Sequence, residues 1–178
     1  MAIGAAFQMA TIVRLTFVLV LGSVLSSCVA TTPAPVQNLQ TAVKPDRVQK
    51  VRTTAYTHNE GSGSRNAIGK RLSNGGIKSA ASDWSRYPLG TRFRVVGSGD
   101  EYVIDDYGGA LIGTNTIDLY KPSKLEMRRW GVRHVDIEVV RWGSEEESLK
   151  VLRPRKNARI VRRMIASLES KKPPQPKS

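Results

Sequence analysis

The sequence has little cysteine and histidine, and these shortages argue against several classes of protein. Cys28 is the only cysteine in 178 residues, so the chain cannot form an internal disulfide. His58 and His134 lie far apart in sequence with no cysteine near them, which gives a metal site poor support. A Gly-x-Ser-x-Gly nucleophile motif is also absent. We therefore expect no metal and no other cofactor.

Acidic residues are scarce as well. The chain has 15 Asp and Glu residues against 28 Lys and Arg residues, which gives a net charge of +13. Such an excess attracts polyanions, among them nucleic acid, anionic lipid headgroups and acidic cell-wall polymers. Charge alone does not choose among these partners.

Residues 1–28 predict an export signal. An apolar run over residues 13–25 contains the single charge of Arg14, is too short to span a bilayer comfortably, and ends in small residues before Cys28. The segment Leu25-Ser26-Ser27-Cys28 resembles the bacterial lipobox, which implies cleavage before Cys28 and lipid on its sulfur. An ordinary cleaved signal or a short membrane anchor is the alternative.

The predicted location follows from this leader. We expect a protein exported to the bacterial cell envelope and held on a membrane by the lipid at Cys28. Because Val29 rather than aspartate follows the cysteine, the usual sorting tendency of a Gram-negative host predicts the outer membrane, facing the periplasm. Export also argues against nucleic acid as the partner, and no nucleic-acid-binding motif is present.

The remaining chain divides into a linker, a domain and a tail. Residues 29–48 are polar and Pro-containing, as in a flexible tether, and residues 49–143 read as many short strands separated by Gly-rich turns. Strands are predicted at 51–57, 78–82, 91–96, 101–104, 116–120 and 134–141, with one helix from Ser123 to Gly131. This pattern favours an all-β fold, a compact barrel.

Residues 144–178 are predicted to be a basic tail, partly helical and then disordered. Pro154 should break any continuous helix, and apolar residues at helical spacing follow at Val161, Met164, Ile165 and Leu168. Such a segment could attach to wall polymers or an anionic membrane, or pack across the barrel mouth.

Three aspartates stand beside the glycines of the stretch VIDDYGGALIGTNTIDLY, residues 103–120. If Ile117 and Leu119 face the core, strand alternation points Asp118 toward an accessible surface. By the same rule, Asp105 and Asp106 cannot both point into one cleft from a regular strand. Gly108 and Gly109 then allow a sharp turn or the close approach of a ligand.

Several ordered motifs resemble the three-aspartate, or 3D, domain of the membrane-bound lytic transglycosylase A family and of stationary-phase survival proteins. The matching segments are Thr54-Ala55-Tyr56, Ala81-Ser82-Asp83, Pro88-Leu89-Gly90-Thr91, Asp106-Tyr107-Gly108-Gly109-Ala110-Leu111-Ile112-Gly113 and Ile117-Asp118-Leu119. The resemblance implies a six-stranded double-psi β-barrel that cleaves peptidoglycan glycan strands. Four residues separate Gly113 from Asp118, one more than in the family pattern, which predicts a longer or bulged loop.

Carried over position by position, the resemblance implies that the three named acids are Asp83, Asp106 and Asp118, with Asp118 as the catalytic acid. Asp83 and Asp106 would position it or bond sugar and loop amides, and both also fit turn capping. Asp105 is expected to be a solvated neighbour. The expected substrate contacts, for which core packing is the alternative, are Tyr56, Tyr107, Gly108, Gly109 and Tyr120.

One carboxyl group can carry lytic transglycosylation, because the C6 hydroxyl of muramic acid replaces water as the nucleophile. Burial and the anions of Asp106 and Asp83 are expected to raise the pKa of Asp118 for this role. Two alternatives stay open: a barrel that only binds peptidoglycan, and a true glycosidase with a second carboxylate across the cleft. The oligomeric state stays open too.

Overall fold

The computed structural model describes residues 46–60 and 63–171 of the chain. The predicted signal peptide with Cys28, the linker up to residue 45 and the last seven residues, 172–178, lie outside the described residues.

Six strands close into a barrel. They are β1 (Asp46–Tyr56), β2 (Ile77–Ala81), β3 (Arg92–Val95), β4 (Glu101–Asp106), β5 (Thr116–Tyr120) and β6 (Arg133–Arg141). Their order around the barrel is β1-β5-β2-β4-β3-β6, with β6 pairing back onto β1. The predicted all-β barrel of six strands is confirmed, and β1 starts at Asp46, inside the segment predicted as linker.

Two of the six strand pairs are parallel. These are β1 with β5 and β2 with β4, and the other pairs run antiparallel. Parallel neighbours need crossover connections, and the segments between the paired strands include residues 63–76, before β2, and residues 107–115, before β5. The second of these segments directly follows Asp106 at the end of β4.

The barrel interior is filled by alternate residues of the strands. Ile117 and Leu119 of β5 are fully buried, and so are Tyr102 and Ile104 of β4. The Phe93 ring stacks on Tyr102 with centroids 5.6 Å apart. Since side chains alternate along a strand, the burial of Ile117 and Leu119 turns Asp118 outward as predicted.

Helix α1 (Lys124–Trp130) matches the predicted helix. Ser123 caps it by accepting a 3.2 Å hydrogen bond from the amide of Glu126. The helix ends at Gly131, which adopts a φ of 62°. Such a φ favours glycine because it has no Cβ.

The residues after β6 fold back onto the barrel. Helix α2 (Glu145–Leu152), a 3-10 helix at Arg153–Arg155 and helix α3 (Arg159–Ser170) follow one another, with Pro154 in the interruption as predicted. Their apolar side chains join the core of the barrel, namely Leu149, Leu152, Val161, Met164 and Leu168. Residues 145–170 are therefore integral to the fold and not a loosely attached tail, while the arginines of α3 face solvent.

Gly143 allows this return. A Cβ at this position would lie 2.2 Å from the carbonyl oxygen of Leu89, which is too close for any other residue. The Gly143 amide donates a 3.0 Å hydrogen bond to Thr91 Oγ1. In the described part of the chain, no helix has the length and apolar character needed to cross a bilayer.

Candidate active site at the ends of β1, β4 and β5

Asp118 lies in the middle of β5, opposite Thr54 of the parallel strand β1. Thr54 Oγ1 donates a 2.6 Å hydrogen bond to Asp118 Oδ1. The β1–β5 register is unbroken from the pair Arg52–Thr116 to the pair Tyr56–Tyr120. The extra residue before Asp118 therefore leaves no bulge in this ladder. The turn before β5 is held by hydrogen bonds that the amide and hydroxyl of Thr114 donate to the Leu111 carbonyl.

Burial raises the pKa of the Asp118 carboxyl above its usual range, and the hydrogen bond from Thr54 opposes this rise. The nearby charges are Glu60, which raises this pKa, and Arg52, which lowers it. We expected Asp106 and Asp83 to supply the acidic neighbour, and the structure places Glu60 in that position. Glu60 follows β1 in a loop that the strand pattern did not connect with Asp118.

Asp106 ends β4 and is partly buried. Its Oδ1 accepts hydrogen bonds from the amides of Tyr107 at 2.9 Å and Ala67 at 3.1 Å. Burial, supported by the charge of Asp105, raises the pKa of Asp106 to about 6 despite these amides. A carboxyl with this pKa exchanges protons near neutral pH.

Asp105 is buried, with only 8% of its surface exposed. Its Oδ2 accepts hydrogen bonds from Asn66 Nδ2 at 2.8 Å and Ser79 Oγ at 2.7 Å. The expectation of a solvated Asp105 is wrong, because the β2–β4 register shifts between Ala80 and Ala81 and inserts Asp105 as the extra residue. Burial raises the pKa of this carboxyl as well.

Tyr56 brings these acids into one cluster. Its buried hydroxyl has no hydrogen-bond partner within 3.5 Å among the described residues, and a weaker, longer interaction with the Asp106 carboxylate lowers the pKa of that acid. Burial raises the pKa of this phenol far above its usual value, and the charges of Asp106, Asp105 and Asp118 raise it further, in that order. We name these four residues the Tyr56 acid cluster. Asp106, Asp105 and Asp118 thus all act electrostatically on the Tyr56 hydroxyl, and the pairing of Asp106 with Asp118 stays a prediction.

The environment of Asp83 differs from that of the other three acids. It is 3% exposed, and its Oδ1 accepts hydrogen bonds from the amide and hydroxyl of Ser85 at 2.9 and 2.7 Å. Its Oδ2 accepts a 2.8 Å hydrogen bond from the Gly113 amide. All these bonds join Asp83 to its own turn and to the glycine loop, so this acid holds loop amides.

The tyrosines predicted to contact sugar are packed against protein. Tyr120 is 6% exposed, its ring lies 5.6 Å from that of Tyr56, and its hydroxyl is 2.9 Å from His58 Nδ1. Tyr107 is partly buried and packs edge-on against Trp84 at 5.1 Å. The rings of Tyr56 and Tyr120 therefore pack against each other with a tilt of 60°.

Gly108 and Gly109 enter a short 3-10 helix, Gly109–Leu111. A Cβ on Gly108 would lie 3.3 Å from Leu111 Cδ1, and one on Gly109 would lie 3.7 Å from Ile160 of α3. A Cβ on Gly108 would therefore crowd Leu111 of the same turn, whereas one on Gly109 would make an ordinary contact with α3. Within residues 46–60 and 63–171, no group of three or more His, Cys, Asp and Glu side chains could hold a metal ion.

Residues 78–141 match the family model of the 3D domain, and this segment contains Asp83, Asp106 and Asp118. The chain is 41% identical over 92 residues to the "Cell wall-binding protein YocH" of Bacillus subtilis (strain 168), covering 51% of this chain and 31% of that protein. It is 35% identical over 96 residues to the "Putative cell wall shaping protein YabE" of the same organism, covering 53% of this chain and 23% of that protein.

The chain therefore spans less than a third of the length of either relative. Strand β1 supplies Tyr56 to the acid cluster and Thr54 as the hydrogen-bond partner of Asp118, and it lies outside the segment matched by the family model. The resemblance to the 3D domain seen in the ordered motifs is confirmed for residues 78–141, which match the family model of that domain.

Proposed function

We propose that this protein cleaves the glycan strands of peptidoglycan as a lytic transglycosylase, with Asp118 as general acid and then general base. The observation that carries the proposal is the Tyr56 acid cluster, in which Asp106 and Asp118 are partly exposed and both have a raised pKa. The 3D-domain match and the cell-wall names of the two relatives support peptidoglycan as the substrate.

Protonated Asp118 donates its proton to the glycosidic oxygen between C1 of N-acetylmuramic acid and the next sugar. The C1–O bond then breaks and the leaving sugar departs with its hydroxyl. The Asp118 carboxylate takes the proton of the C6 hydroxyl, and O6 bonds to C1 to close a 1,6-anhydro ring. Protons balance within the step, and Asp118 ends protonated.

The raised pKa serves this mechanism because a carboxyl with an ordinary pKa would be almost fully ionised at neutral pH. Burial favours the protonated form of Asp118, and Thr54 limits that effect by stabilising the carboxylate needed in the second half of the step. Asp106 and Asp105 add negative charge around Tyr56, which suits the positive charge that develops at C1.

Digestion of purified sacculi tests this proposal. The wild-type chain should release muropeptides ending in 1,6-anhydromuramic acid, each lighter by one water than the reducing product, as measured by mass spectrometry. Asp118→Asn should lower the release by about 100-fold or more, in the range of losing a general acid. Asp100→Asn, an aspartate on the β3–β4 turn, is the matched control and should retain activity.

Reducing-end products would instead indicate a hydrolase, with Glu60 as the first candidate for the second carboxylate because its charge acts on Asp118. A barrel that binds sacculi without releasing any product is the other candidate function. The name of the first relative, a cell wall-binding protein, favours that alternative. Sedimentation with sacculi measures binding separately from cleavage.

The same proposal places the protein in the cell envelope, exported and anchored by lipid on Cys28. Cys28→Ser should block attachment of radiolabelled fatty acid and move the protein out of the membrane fraction. Retention of both label and membrane association in this variant would exclude Cys28 as the lipidation site.

A further inference from the structure

Two neighbouring cavities form a basic groove along the outside of the barrel. One has a volume of about 520 Å³ and the other of about 370 Å³, and Asn115 lines both. We name them together the Asn115 groove. Its lining includes the side chains of Lys50, Arg52, Arg86, Asn115, Trp142 and Lys171. Each cavity is lined by two of these four basic residues, and neither is lined by an aspartate or glutamate.

Trp142 offers an aromatic face at one end of the groove. Its side chain is 46% exposed, and its ring lies parallel to that of buried Tyr87 with an interplanar angle of 7°. Trp142 Nε1 donates a 2.9 Å hydrogen bond to Asp46, which fixes the indole in place. A fixed, exposed indole is the kind of surface on which a sugar ring packs.

Asn115 is oriented by Tyr87, the residue on which Trp142 stacks. Its Oδ1 accepts a 3.1 Å hydrogen bond from the Tyr87 hydroxyl. The amide nitrogen is thereby left to donate at the junction of the two cavities. Asn115 belongs to the stretch of residues 114–117 that is one residue longer than the family pattern, so this donor is a feature of the lengthened turn.

At the end of the groove away from Trp142, Lys50 has a strained backbone. Among the described residues it is the one non-glycine with positive φ, at 51°, and it lies where the β1–β6 register shifts between Val48 and Val51. The Asp136 carboxylate accepts a 3.0 Å hydrogen bond from the Lys50 amide and holds this bulge. Strain of this kind clusters where a side chain must be aimed at a ligand.

The groove continues to the acid cluster along one face of the β1–β5 pair. Arg52 Nη1 donates a 3.2 Å hydrogen bond to Thr116 Oγ1, and the next pair on this face is Thr54 with Asp118. Two residues along a strand span about 6.6 Å. The basic groove therefore reaches within about one sugar ring of Asp118.

We propose that the Asn115 groove binds the part of an acid-bearing glycan strand that extends away from the scissile bond. Sugar rings pack on Trp142, the Asn115 amide donates to a sugar oxygen, and Lys50 and Arg52 pair with carboxylates carried by the strand. This inference rests on the proposed function for the identity of the strand. Four of its six named residues lie outside the segment matched by the family model, namely Lys50, Arg52, Trp142 and Lys171. Most of the groove is therefore supplied by parts of this chain that the family model does not cover.

Binding to soluble glycan fragments tests the groove in the full chain carrying Asp118→Asn, which removes cleavage from the measurement. The probes are sonicated sacculus fragments with peptide stems, and the same fragments after amidation of their carboxylates. We expect Trp142→Ala to weaken binding about tenfold, the loss of one well-packed aromatic contact. Amidation should also weaken binding about tenfold, since it removes the pairing with Lys50 and Arg52.

Lys50→Gly separates binding from folding, because glycine adopts the positive φ without strain and keeps the amide bonded to Asp136. Its melting temperature should equal or exceed that of the parent while binding falls several-fold. The matched controls are Arg128→Gln and Leu125→Ala on exposed positions of α1, which should bind as the parent does.

Parental affinity in both Trp142→Ala and Lys50→Gly would overturn the proposal, and so would equal affinity for amidated fragments. Displacement of the fragments by DNA of equal charge concentration would show a general polyanion site and would overturn it too. Cleavage by the wild-type chain is read separately. Groove-dependent binding without any cleavage would refute the transglycosylase while upholding the groove, whereas cleavage with groove-independent binding would do the reverse.

Discussion

Thr54 and Asp118 face each other across the parallel β1–β5 ladder and share a 2.6 Å hydrogen bond. Burial raises the pKa of Asp118, whereas this bond lowers it. Strand β1 therefore lowers the proton affinity that burial gives the proposed catalytic acid, although this strand lies outside the segment that the 3D-domain model matches.

Thr54→Val should raise the pKa of Asp118 further, because valine keeps the shape of threonine but cannot donate to the carboxylate. If cleavage begins with protonated Asp118, the basic limb of the pH–activity profile should move to higher pH. Thr57→Val is the control, since the Thr57 hydroxyl is buried without a partner among the described residues and does not touch Asp118. An unmoved basic limb in Thr54→Val would argue that another group supplies the proton.

Asp106→Asn should stabilise the protein more at pH 7.5 than at pH 4. The folded-state pKa of Asp106 is about 6, above the ordinary value, so the fold favours the protonated form. The contribution of Asp106 to stability is therefore present near pH 4 and is lost as pH rises through about 6. Melting temperatures of the variant and the wild type across this range measure the difference.

Asp136→Asn serves as the control, because its effect on stability should depend on pH in the opposite direction to that of Asp106→Asn. A hydrogen bond from Arg47, then one from the Lys50 amide, lowers the pKa of Asp136. Its contribution to stability is present above about pH 4 and is lost as pH falls below that value. Parallel pH dependence in the two variants would contradict the assignment of a raised pKa to Asp106.

Asp105→Leu should lower the free energy of unfolding by about 2–4 kcal/mol, because buried Asn66 Nδ2 and the Ser79 hydroxyl would lose their acceptor. Asp105→Asn should cost less, since the amide oxygen can still accept. Urea denaturation measures both values. A Leu variant as stable as the wild type would mean that Asp105 is a solvated neighbour after all.

Met164→Ala should lower the free energy of unfolding of the whole barrel by about 2–5 kcal/mol, since Met164 of α3 is fully buried in the common core. Leu125→Ala is the control; Leu125 is 58% exposed, so the change should stay within about 0.5 kcal/mol. A Met164→Ala barrel with unchanged stability and a single transition would mean that residues 145–170 are an independent tail.

Strands such as β5 were predictable because apolar and polar residues alternate in them between marked turns. The burial of Ile117 and Leu119, and hence the outward direction of Asp118, followed from that alternation alone. Ser123 and Gly131 predicted the two ends of α1, since a capping hydroxyl and a glycine after the last turn are local signals.

What the sequence could not predict depends on contacts between distant segments. Asp105 is buried because of a bulge against β2 and because Asn66, 39 residues earlier in the chain, turns toward it. Glu60 reaches Asp118 only because β1 and β5 pair in parallel. Pairing partners and bulges are tertiary features that alternation within one strand does not encode.

The origin of the oxygen in the product tests the central claim most directly. Sacculi are digested with the wild-type chain in water enriched in ¹⁸O, and the masses of the newly formed muramic acid ends are measured by mass spectrometry. The mechanism through Asp118 predicts 1,6-anhydro ends without ¹⁸O, because O6 of the same sugar closes the ring, and no such ends with Asp118→Asn. Reducing ends that carry ¹⁸O, or anhydro ends that persist in Asp118→Asn, would contradict the account.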